Sequence, residues 1–202
     1  MSKRETPEVR EEEILNACEK LYEKMNFRDV TVKEIGVAIS CSRPSIYNYF
    51  QSKEEIFLRL FEREYLLWCD KLEMIAADGV KVCELPEKLA RSLEKRELML
   101  KLLAVNLCDM EENSRTERLI SFKKAYGKSV ELLDTVLKTS FPDKTDKERR
   151  QTLLTALQFL HGVYPYSHAT PKQIEAMDAV GIRHDNGNIY ELLLTGLEKI
   201  LK

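Results

Sequence analysis

The chain has 202 residues, of which 44% are apolar and 33% are charged, and its formal net charge is -2. This apolar content suffices for one large domain or two small ones with a buried core. No apolar run is long enough to span a bilayer, and the charged first residues lack the apolar stretch of a signal peptide, so we expect a cytoplasmic protein without a membrane partner. The five cysteines include no Cys-x-x-Cys pair, which argues against a disulfide framework and a structural zinc site.

Apolar residues recur at helical spacing along most of the sequence, and Gly and Pro are few, which predicts an all-α protein. Clusters of Gly, Pro, Asn and Asp predict breaks between helices at residues 76–86, 108–114, 140–145 and 180–188. The first helix is predicted to begin at Thr6-Pro7, a capping residue followed by proline, and to end near Asn26 in a left-handed cap. Its predicted buried residues are Val9, Ile14, Cys18, Leu21 and Met25.

Four capping boxes predict further helix starts. In such a box a Ser or Thr side chain accepts from the third helical amide, and a Glu or Gln side chain reaches back to the capping residue. The four pairs are Thr31 with Glu34, Ser52 with Glu55, Thr145 with Glu148, and Thr170 with Gln173. The amphipathic helices after residue 53, joined by short connections, predict a helical bundle.

Residues 36–46 have the spacing of a helix-turn-helix. Where two helices cross closely, the first needs a small residue, the turn needs a residue that tolerates an unusual backbone, and the second helix needs an apolar anchor. Gly36, Ser40 and Ile46 occupy these positions. Ser40 is the least suited, because a residue other than glycine at positive φ costs roughly 1 kcal/mol. The alternative is a small three-helix domain in which Tyr47 and Phe50 are core residues and the rest is an ordinary polar surface.

The segment RPSIYNYF, residues 43–50, carries side chains suited to reading DNA in the major groove; we call it the recognition segment. Arg43 can donate to guanine through two N–H groups, and Asn48 can pair with adenine. Hydroxyl and ammonium groups on either side can bind phosphates. The predicted DNA-contacting residues are Thr31, Lys33, Ser42, Arg43, Pro44, Ser45, Tyr47, Asn48, Tyr49 and Lys53.

The charges around the recognition segment are balanced. Residues 1–53 carry nine Lys or Arg and nine Asp or Glu, so their net charge is zero, whereas a protein that binds DNA through diffuse charge is more basic. Charge therefore neither indicates nor excludes DNA binding. Affinity would have to come from a few well-placed contacts and from a dimer that holds two recognition helices at a fixed spacing.

Residues 14–61 resemble the DNA-binding domain of the tetracycline-repressor (TetR) family of bacterial regulators. The resemblance rests on ILNACEKL in the first helix, TVKEI at the start of the second, YNYF in the recognition segment and the SKEE that follows. The sequence departs from the family at Asn26, where Gly is common, at Gly36, where Ala is usual, and at Ser40-Cys41, where Gly-Val is usual.

The resemblance implies a homodimeric repressor that binds palindromic double-stranded operator DNA and releases it when a small-molecule effector occupies the C-terminal helical domain. It implies DNA contacts at the ten residues given above. We also predict no cofactor and no enzymatic activity. We accordingly predict a three-helix helix-turn-helix DNA-binding domain over residues 1–53. The helical bundle of residues 54–202 is predicted to bind the effector and to dimerise.

An effector cavity in a helical bundle is typically apolar with a few polar anchors. Gly162 and Pro165 are predicted to weaken and break the helix in residues 159–168, FLHGVYPYSH, which would free backbone groups there. Aromatic residues at helical spacing more often fill a core, so each candidate also has a plain packing interpretation. The predicted effector-binding residues are Trp68, Phe122, Tyr126, Phe159, His161, Tyr164 and Tyr166.

Two smaller hypotheses concern the same half of the chain. His161, Tyr164 and His168 share a helix face, but Pro165 interrupts them and no third ligand follows by spacing, so no metal site is predicted. The dimer interface is predicted on residues 147–164 and 189–201, where Gly196 would permit close approach.

Other classes of protein fit the sequence less well. An all-α enzyme would need a paired acid and base or an activated nucleophile, and no such signature is present. A protein-interaction adaptor would not need Arg43, Ser45 and Asn48 to follow a turn at helix-turn-helix spacing. A redox switch at Cys41 stays open, although a buried small hydrophobe is the simpler interpretation.

Overall fold

The computed structural model describes residues 6–105, 107–183 and 187–202. Within these ranges the chain forms helices and no strand, which confirms the predicted all-α class. Part of the break predicted at 180–188 falls on residues 184–186, which lie outside the described residues. The helices are α1 (Pro7–Lys24), α2 (Val32–Ala38), α3 (Arg43–Tyr47), α4 (Lys53–Asp78), α5 (Leu85–Glu94), α6 (Glu97–Leu103), α7 (Leu107–Glu112), α8 (Thr116–Ser140), α9 (Asp146–Ser167), α10 (Pro171–Ala179) and α11 (Ile189–Ile200).

The helix starts follow the capping chemistry of the sequence. Complete capping boxes form at Thr31, Thr145 and Thr170, where the hydroxyl accepts from the third amide and the Glu or Gln side chain bonds back. At Ser52 only half of the predicted box forms. The Ser52 hydroxyl accepts from the Glu55 amide at 3.1 Å, but the Glu55 carboxylate accepts from the Gln51 amide at 2.9 Å and from an arginine described below.

Several predictions of helix boundaries were wrong. Helix α1 ends at Lys24 with Met25 extended, and Asn26 does not take the left-handed conformation, since Ser40 is the one non-glycine residue with positive φ among those described. Val9 is 49% exposed because the first turn of α1 extends beyond the core. The break predicted at 108–114 contains most of α7, whose buried Met110 gives this short helix a core contact.

Pro165 does not break α9, contrary to the prediction. The helix continues through it to Ser167. The Ser167 hydroxyl donates to the carbonyls of Val163 and Tyr164 at 3.0 and 3.1 Å, which supplies hydrogen bonds to backbone groups in the turn that contains the proline.

Contacts divide the chain into two compact units. The first groups the chain up to Tyr65 with Val105–Tyr126, and the second groups Leu66–Ala104 with Gly127–Lys202. Both α4 and α8 contribute residues to each unit. The predicted domain boundary at residue 53 stays a prediction.

The core of the first unit is rich in aromatic side chains. Phe57 contacts Tyr22 edge to face at a ring-centroid distance of 5.0 Å and Phe27 at 4.6 Å. Phe61 and Phe122 lie 5.3 Å apart, and both are buried. These contacts join α1, α4 and α8 within the unit.

In the second unit α11 packs against α5 and α9, and α9 also packs against α6. A Cβ added to Gly196 would lie 2.2 Å from the Phe159 ring, so the glycine permits close approach of α9 and α11 within one chain. The use of Gly196 in a dimer interface stays a prediction. Helix α10 has no buried residue in the single chain. Among the described helices, none is long and apolar enough to cross a membrane.

Candidate nucleic-acid interface and effector region

The turn between α2 and α3 has the geometry that the spacing predicted. Ser40 has φ 53°, and the Cys41 amide donates to the Gly36 carbonyl at 2.8 Å. A Cβ on Gly36 would lie only 2.6 Å from the Cys41 carbonyl oxygen and 3.5 Å from Ile46. Ile46 is fully buried. A side chain at Gly36 would therefore force the backbone of the turn to move, because the obstructing atom belongs to the backbone and cannot rotate away.

Helix α3 is capped by Ser42, whose hydroxyl accepts from the Ser45 amide at 3.3 Å. The helix ends at Tyr47, and a turn continues to Tyr49. Tyr47 is 44% exposed, whereas Phe50 is buried. The alternative in which both rings are core residues is therefore wrong for Tyr47.

The predicted DNA-contacting residues form a largely exposed set on α2, α3 and the turn that follows. Ser45, Tyr49 and Lys53 are half-buried. Lys53 donates to the Phe27 carbonyl at 2.8 Å and lies 4.2 Å above the Phe27 ring centroid, so it has an intramolecular partner already. The exposed members are Thr31, Lys33, Ser42, Arg43, Pro44, Tyr47 and Asn48.

Glu55, which was predicted only as the partner of Ser52 in a capping box, is a buried carboxylate. Glu55 has no exposed surface and accepts three hydrogen bonds from Arg115, from its main-chain N–H (2.9 Å), Nε (2.7 Å) and Nη2 (2.8 Å). Burial alone would raise the pKa of Glu55, but the hydrogen bonds from Arg115 and the Gln51 amide, with the charge of Arg115, lower it to about 2. Glu55 is therefore ionised and fixed at neutral pH.

A second arginine completes the arrangement. Arg118 pairs with Glu11 through Nη1 and Nη2, both at 3.1 Å. The main-chain carbonyl of Tyr49 accepts from Nη2 of Arg115 and from Nη2 of Arg118, each at 3.2 Å. We call these two arginines and the Tyr49 carbonyl the carbonyl clamp. Sequence reasoning missed it; the available signal was Arg115 at the start of a helix, where a cation is unfavourable unless a carboxylate faces it.

The predicted effector-binding residues are divided between the two units. In the first unit, Phe122 and Tyr126 both contact Tyr65, at centroid distances of 5.9 and 5.6 Å. Phe122 is buried, which favours the packing interpretation for it. Trp68, in the second unit, is also buried and donates from Nε1 to the Ser92 hydroxyl at 3.0 Å.

The four predicted residues on α9 have separate environments. Phe159 lies over Gly196, and Nδ1 of His161 lies 2.8 Å from the Leu103 carbonyl oxygen. Tyr164 stacks on the His168 ring at 4.3 Å, and burial, with the nearby charge of Glu97, raises its pKa. Tyr166 is 73% exposed. Their role as effector contacts stays a prediction.

A groove of about 470 Å³ lies between α4 and α5 in the second unit. Its apolar part is formed by Met74 and Ile75, and Ser92 connects it to the buried Trp68. One carboxylate, Asp78, and five cations line the groove, and one of these cations, Arg91, is paired with Glu87 and Glu94 beside it. The cationic residues are Lys71, Lys88, Arg91, Lys95 and Arg96.

In the described ranges, no three His, Cys, Asp or Glu side chains are grouped so that they could hold a metal ion. Cys41 is half-buried and its thiol lies 3.7 Å from the Ser42 carbonyl oxygen.

Solved structures share this fold. FadR, a fatty acid degradation regulator from Bacillus halodurans, is 18% identical with a TM-score of 0.64, and the match covers 98% of this chain and 97% of that chain. FadR from Bacillus subtilis, in complex with stearoyl-CoA, is 17% identical with a TM-score of 0.61 over 94% and 97%. A transcriptional regulator from Saccharomonospora viridis, in complex with choline, is 15% identical with a TM-score of 0.63 over 95% of each chain.

Sequence comparison gives the family. No curated protein matches the sequence. The family described as bacterial regulatory proteins, tetR family, matches residues 14–60, and the tetracyclin repressor-like C-terminal domain matches residues 62–199. Since these matches cover most of the chain, the protein belongs to the TetR family of bacterial transcriptional regulators.

Proposed function

We propose that this regulator represses transcription as a homodimer bound to a palindromic operator, and that a small-molecule effector bound to its second unit releases the DNA. The observation that carries the proposal is the division of the recognition segment into two faces. Ile46 and Phe50 are buried, while Arg43, Tyr47 and Asn48 are exposed. A helix anchored in this way presents its polar face to a major groove. No enzymatic step is part of the proposal.

The exposed side chains match DNA chemistry in kind. Arg43 has the paired donors that recognise guanine, and Asn48 has the donor and acceptor that recognise adenine. The Tyr47 hydroxyl and the Lys33 ammonium suit phosphate oxygens, whereas the Thr31 hydroxyl already donates to Glu34. Lys53 donates one of its three N–H groups to the Phe27 carbonyl, so two remain for a phosphate oxygen.

Operator selection tests the DNA part of the proposal. Duplexes enriched from a random library by the wild-type protein should contain a palindrome, and Arg43→Ala should weaken binding by about 1–3 kcal/mol and relax the preference at one position in each half-site. Tyr47→Phe should weaken binding less. Arg183→Ala removes the same charge from an exposed position outside the helix-turn-helix and should have no effect. Failure to enrich any sequence would refute the proposal.

The homodimer is supported by apolar surface on the last helices. Leu154 on α9 is 42% exposed, and Val180 and Ile182 after α10 are 70% and 55% exposed. A second copy would bury such side chains, in keeping with the predicted use of residues 147–164. Light scattering should give a dimer for wild type and a monomer for Leu154→Glu. Leu66→Glu, at an apolar residue of α4 that is 40% exposed, should leave the dimer intact.

The groove between α4 and α5 favours an anionic amphiphile as effector. Two of the similar structures hold ligands of opposite charge, stearoyl-CoA and choline, so the fold alone does not choose between them. Here cations surround an apolar floor that includes Met74, which is 60% exposed. We infer that an acyl-CoA fits this chain better than a quaternary amine, because a cationic groove repels choline.

Thermal shift measurements separate these ligand classes. Stearoyl-CoA at a hundredfold excess over its dissociation constant should stabilise the protein by about 2.7 kcal/mol and release the selected duplex, whereas choline should do neither. Lys95→Gln, in the groove, should weaken the response, and Lys138→Gln, an exposed lysine of α8 outside it, should not. Stabilisation by choline alone would exclude the anionic class.

A further inference from the structure

The recognition segment cannot hold its own orientation. Helix α3 has only five residues, and isolated helices of that length do not persist in water. Its direction must therefore come from tertiary contacts on each side of the exposed residues. The buried side chains of Ile46 and Phe50 supply one set of contacts, and the main chain of Tyr49, between Asn48 and Phe50, supplies the other.

The Tyr49 carbonyl accepts hydrogen bonds from two guanidinium groups. Hydrogen bonds from charged donors are stronger than those between neutral groups, and an arginine with a second partner is fixed in direction. Arg115 is fixed by the buried Glu55. Arg118 is fixed by both oxygens of Glu11, and its guanidinium lies 5.1 Å from the Phe50 ring centroid. The guanidinium groups of both arginines are therefore held in place by carboxylates, independently of their bonds to the Tyr49 carbonyl.

A further contact joins the same two stretches of chain. The Ser52 hydroxyl donates to the Asn113 carbonyl at 2.8 Å, while its oxygen caps α4 through the Glu55 amide. The turn that leaves the recognition segment is thus bonded at Tyr49 and Ser52 to residues that lie more than sixty positions later in the chain.

We propose that Arg115 and Arg118 are positioning residues for operator recognition, acting through the Tyr49 carbonyl. By holding this carbonyl they fix the angle at which Arg43, Tyr47 and Asn48 are presented, so the start of α8 sets operator affinity without a contact to the bases. This inference rests on the proposed DNA-binding function and adds to it a determinant outside the helix-turn-helix.

The structure offers a matched pair of variants. Arg118 and Arg59 both bond Glu11, and their side chains are similarly exposed, 25% and 29%, but only Arg118 reaches the Tyr49 carbonyl. Arg118→Gln and Arg59→Gln therefore remove one arginine each from the same carboxylate. Affinity is measured for the duplex selected by the wild-type protein and for a scrambled duplex, each over a range of salt concentrations, with thermal denaturation in parallel.

Arg118→Gln should bind the selected duplex about tenfold more weakly, with unchanged affinity for the scrambled duplex, and Arg59→Gln should bind both like wild type. The salt dependence should be unchanged, because a positioning residue makes no phosphate contact. Equal affinities of the two variants for the selected duplex would overturn the inference, as would a shallower salt dependence for Arg118→Gln, which indicates a direct DNA contact.

If Arg118→Gln unfolds below the assay temperature, Glu11→Gln repeats the test, because it leaves Arg118 in place and removes its anchor. It should lower affinity for the selected duplex in the same direction, and an unchanged affinity would refute the inference. A wild-type protein that selects no duplex would instead refute the proposed function itself, so the two failures are distinguishable.

Discussion

The two units of the molecule each bury a charged side chain, and they pair it in different ways. In the first unit the buried member is Glu55, which is fully enclosed, and its partner Arg115 is sixty residues later. In the second unit the buried member is Arg149, 9% exposed, and its partner Asp146 lies three residues earlier with 96% of its side chain exposed. Arg149 also donates to the Lys144 carbonyl at 2.6 Å.

The comparison indicates what each pair does. The second pair is local and belongs to the start of α9, where the exposed Asp146 stays solvated whether or not Arg149 is present. The first pair joins distant stretches of chain and leaves no solvent for either carboxylate oxygen. Removing the cation should therefore be costly in the first unit and nearly neutral in the second.

The largest effect is expected for Arg115→Met. It leaves the Glu55 carboxylate buried without its cation, and the free energy of unfolding should fall by about 3 kcal/mol, measured by chemical denaturation at pH 7. Glu55→Leu/Arg115→Met, which removes both charges, should recover part of the loss. If Arg115→Met were as stable as wild type, the pair of Glu55 and Arg115 would contribute nothing to stability.

The same pair should appear in the pH dependence of stability. Because the pKa of Glu55 is about 2 in the folded chain and near 4.5 when unfolded, its contribution is present above pH 4.5 and is lost as the pH falls toward 2. Denaturation midpoints measured from pH 6 to pH 3 should decline more steeply for wild type than for Arg115→Met. Parallel declines would contradict the assignment.

Gly36→Ala tests the first unit at the helix crossing. The added methyl would lie 2.6 Å from the Cys41 carbonyl oxygen, so the turn must move, at about 2 kcal/mol of stability, with weakened operator binding. Gly127→Ala is the matched control, because no described atom lies within 4 Å of a Cβ there; it should be neutral or stabilising. Equal stabilities of the two variants would mean that the turn between α2 and α3 accommodates alanine.

The smallest effect is expected for Arg149→Met. The substitution removes a buried cation whose Nε has no acceptor among the described residues, and it leaves only an exposed carboxylate behind. The free energy of unfolding should change by about 1 kcal/mol or less in the same denaturation assay. A loss as large as that of Arg115→Met would remove the distinction between the two pairs.

Local chemistry explains what could be predicted. The complete boxes at Thr31, Thr145 and Thr170 involve partners three residues apart, and the positive φ of Ser40 follows from the spacing between Gly36 and Ile46. Helix ends were predicted less well. At Asn26 residue preference alone suggested a left-handed cap that the chain does not use, and the next residue, Phe27, packs against Phe57.

Features that depend on contacts between distant parts of the chain could not be predicted from the sequence. The sequence does not show that Phe159 of the same chain lies over Gly196. It predicted aromatic effector contacts from helical spacing alone, and it did not predict the groove that is lined by cations beside α4 and α5. Periodicity identifies a buried face but not its neighbour.

The sequence by itself therefore determined the all-α class, the caps at Thr31, Thr145 and Thr170 and the turn at Ser40, since each depends on residues within one or two turns. Only the tertiary structure decided which carbonyl receives Arg115 and Arg118, and which carboxylates hold those arginines. Charged groups pair when they are close in space, and the sequence does not show that residues more than sixty positions apart are close. The recognition segment is recognisable in the sequence, but its orientation depends on a part of the chain that carries no motif.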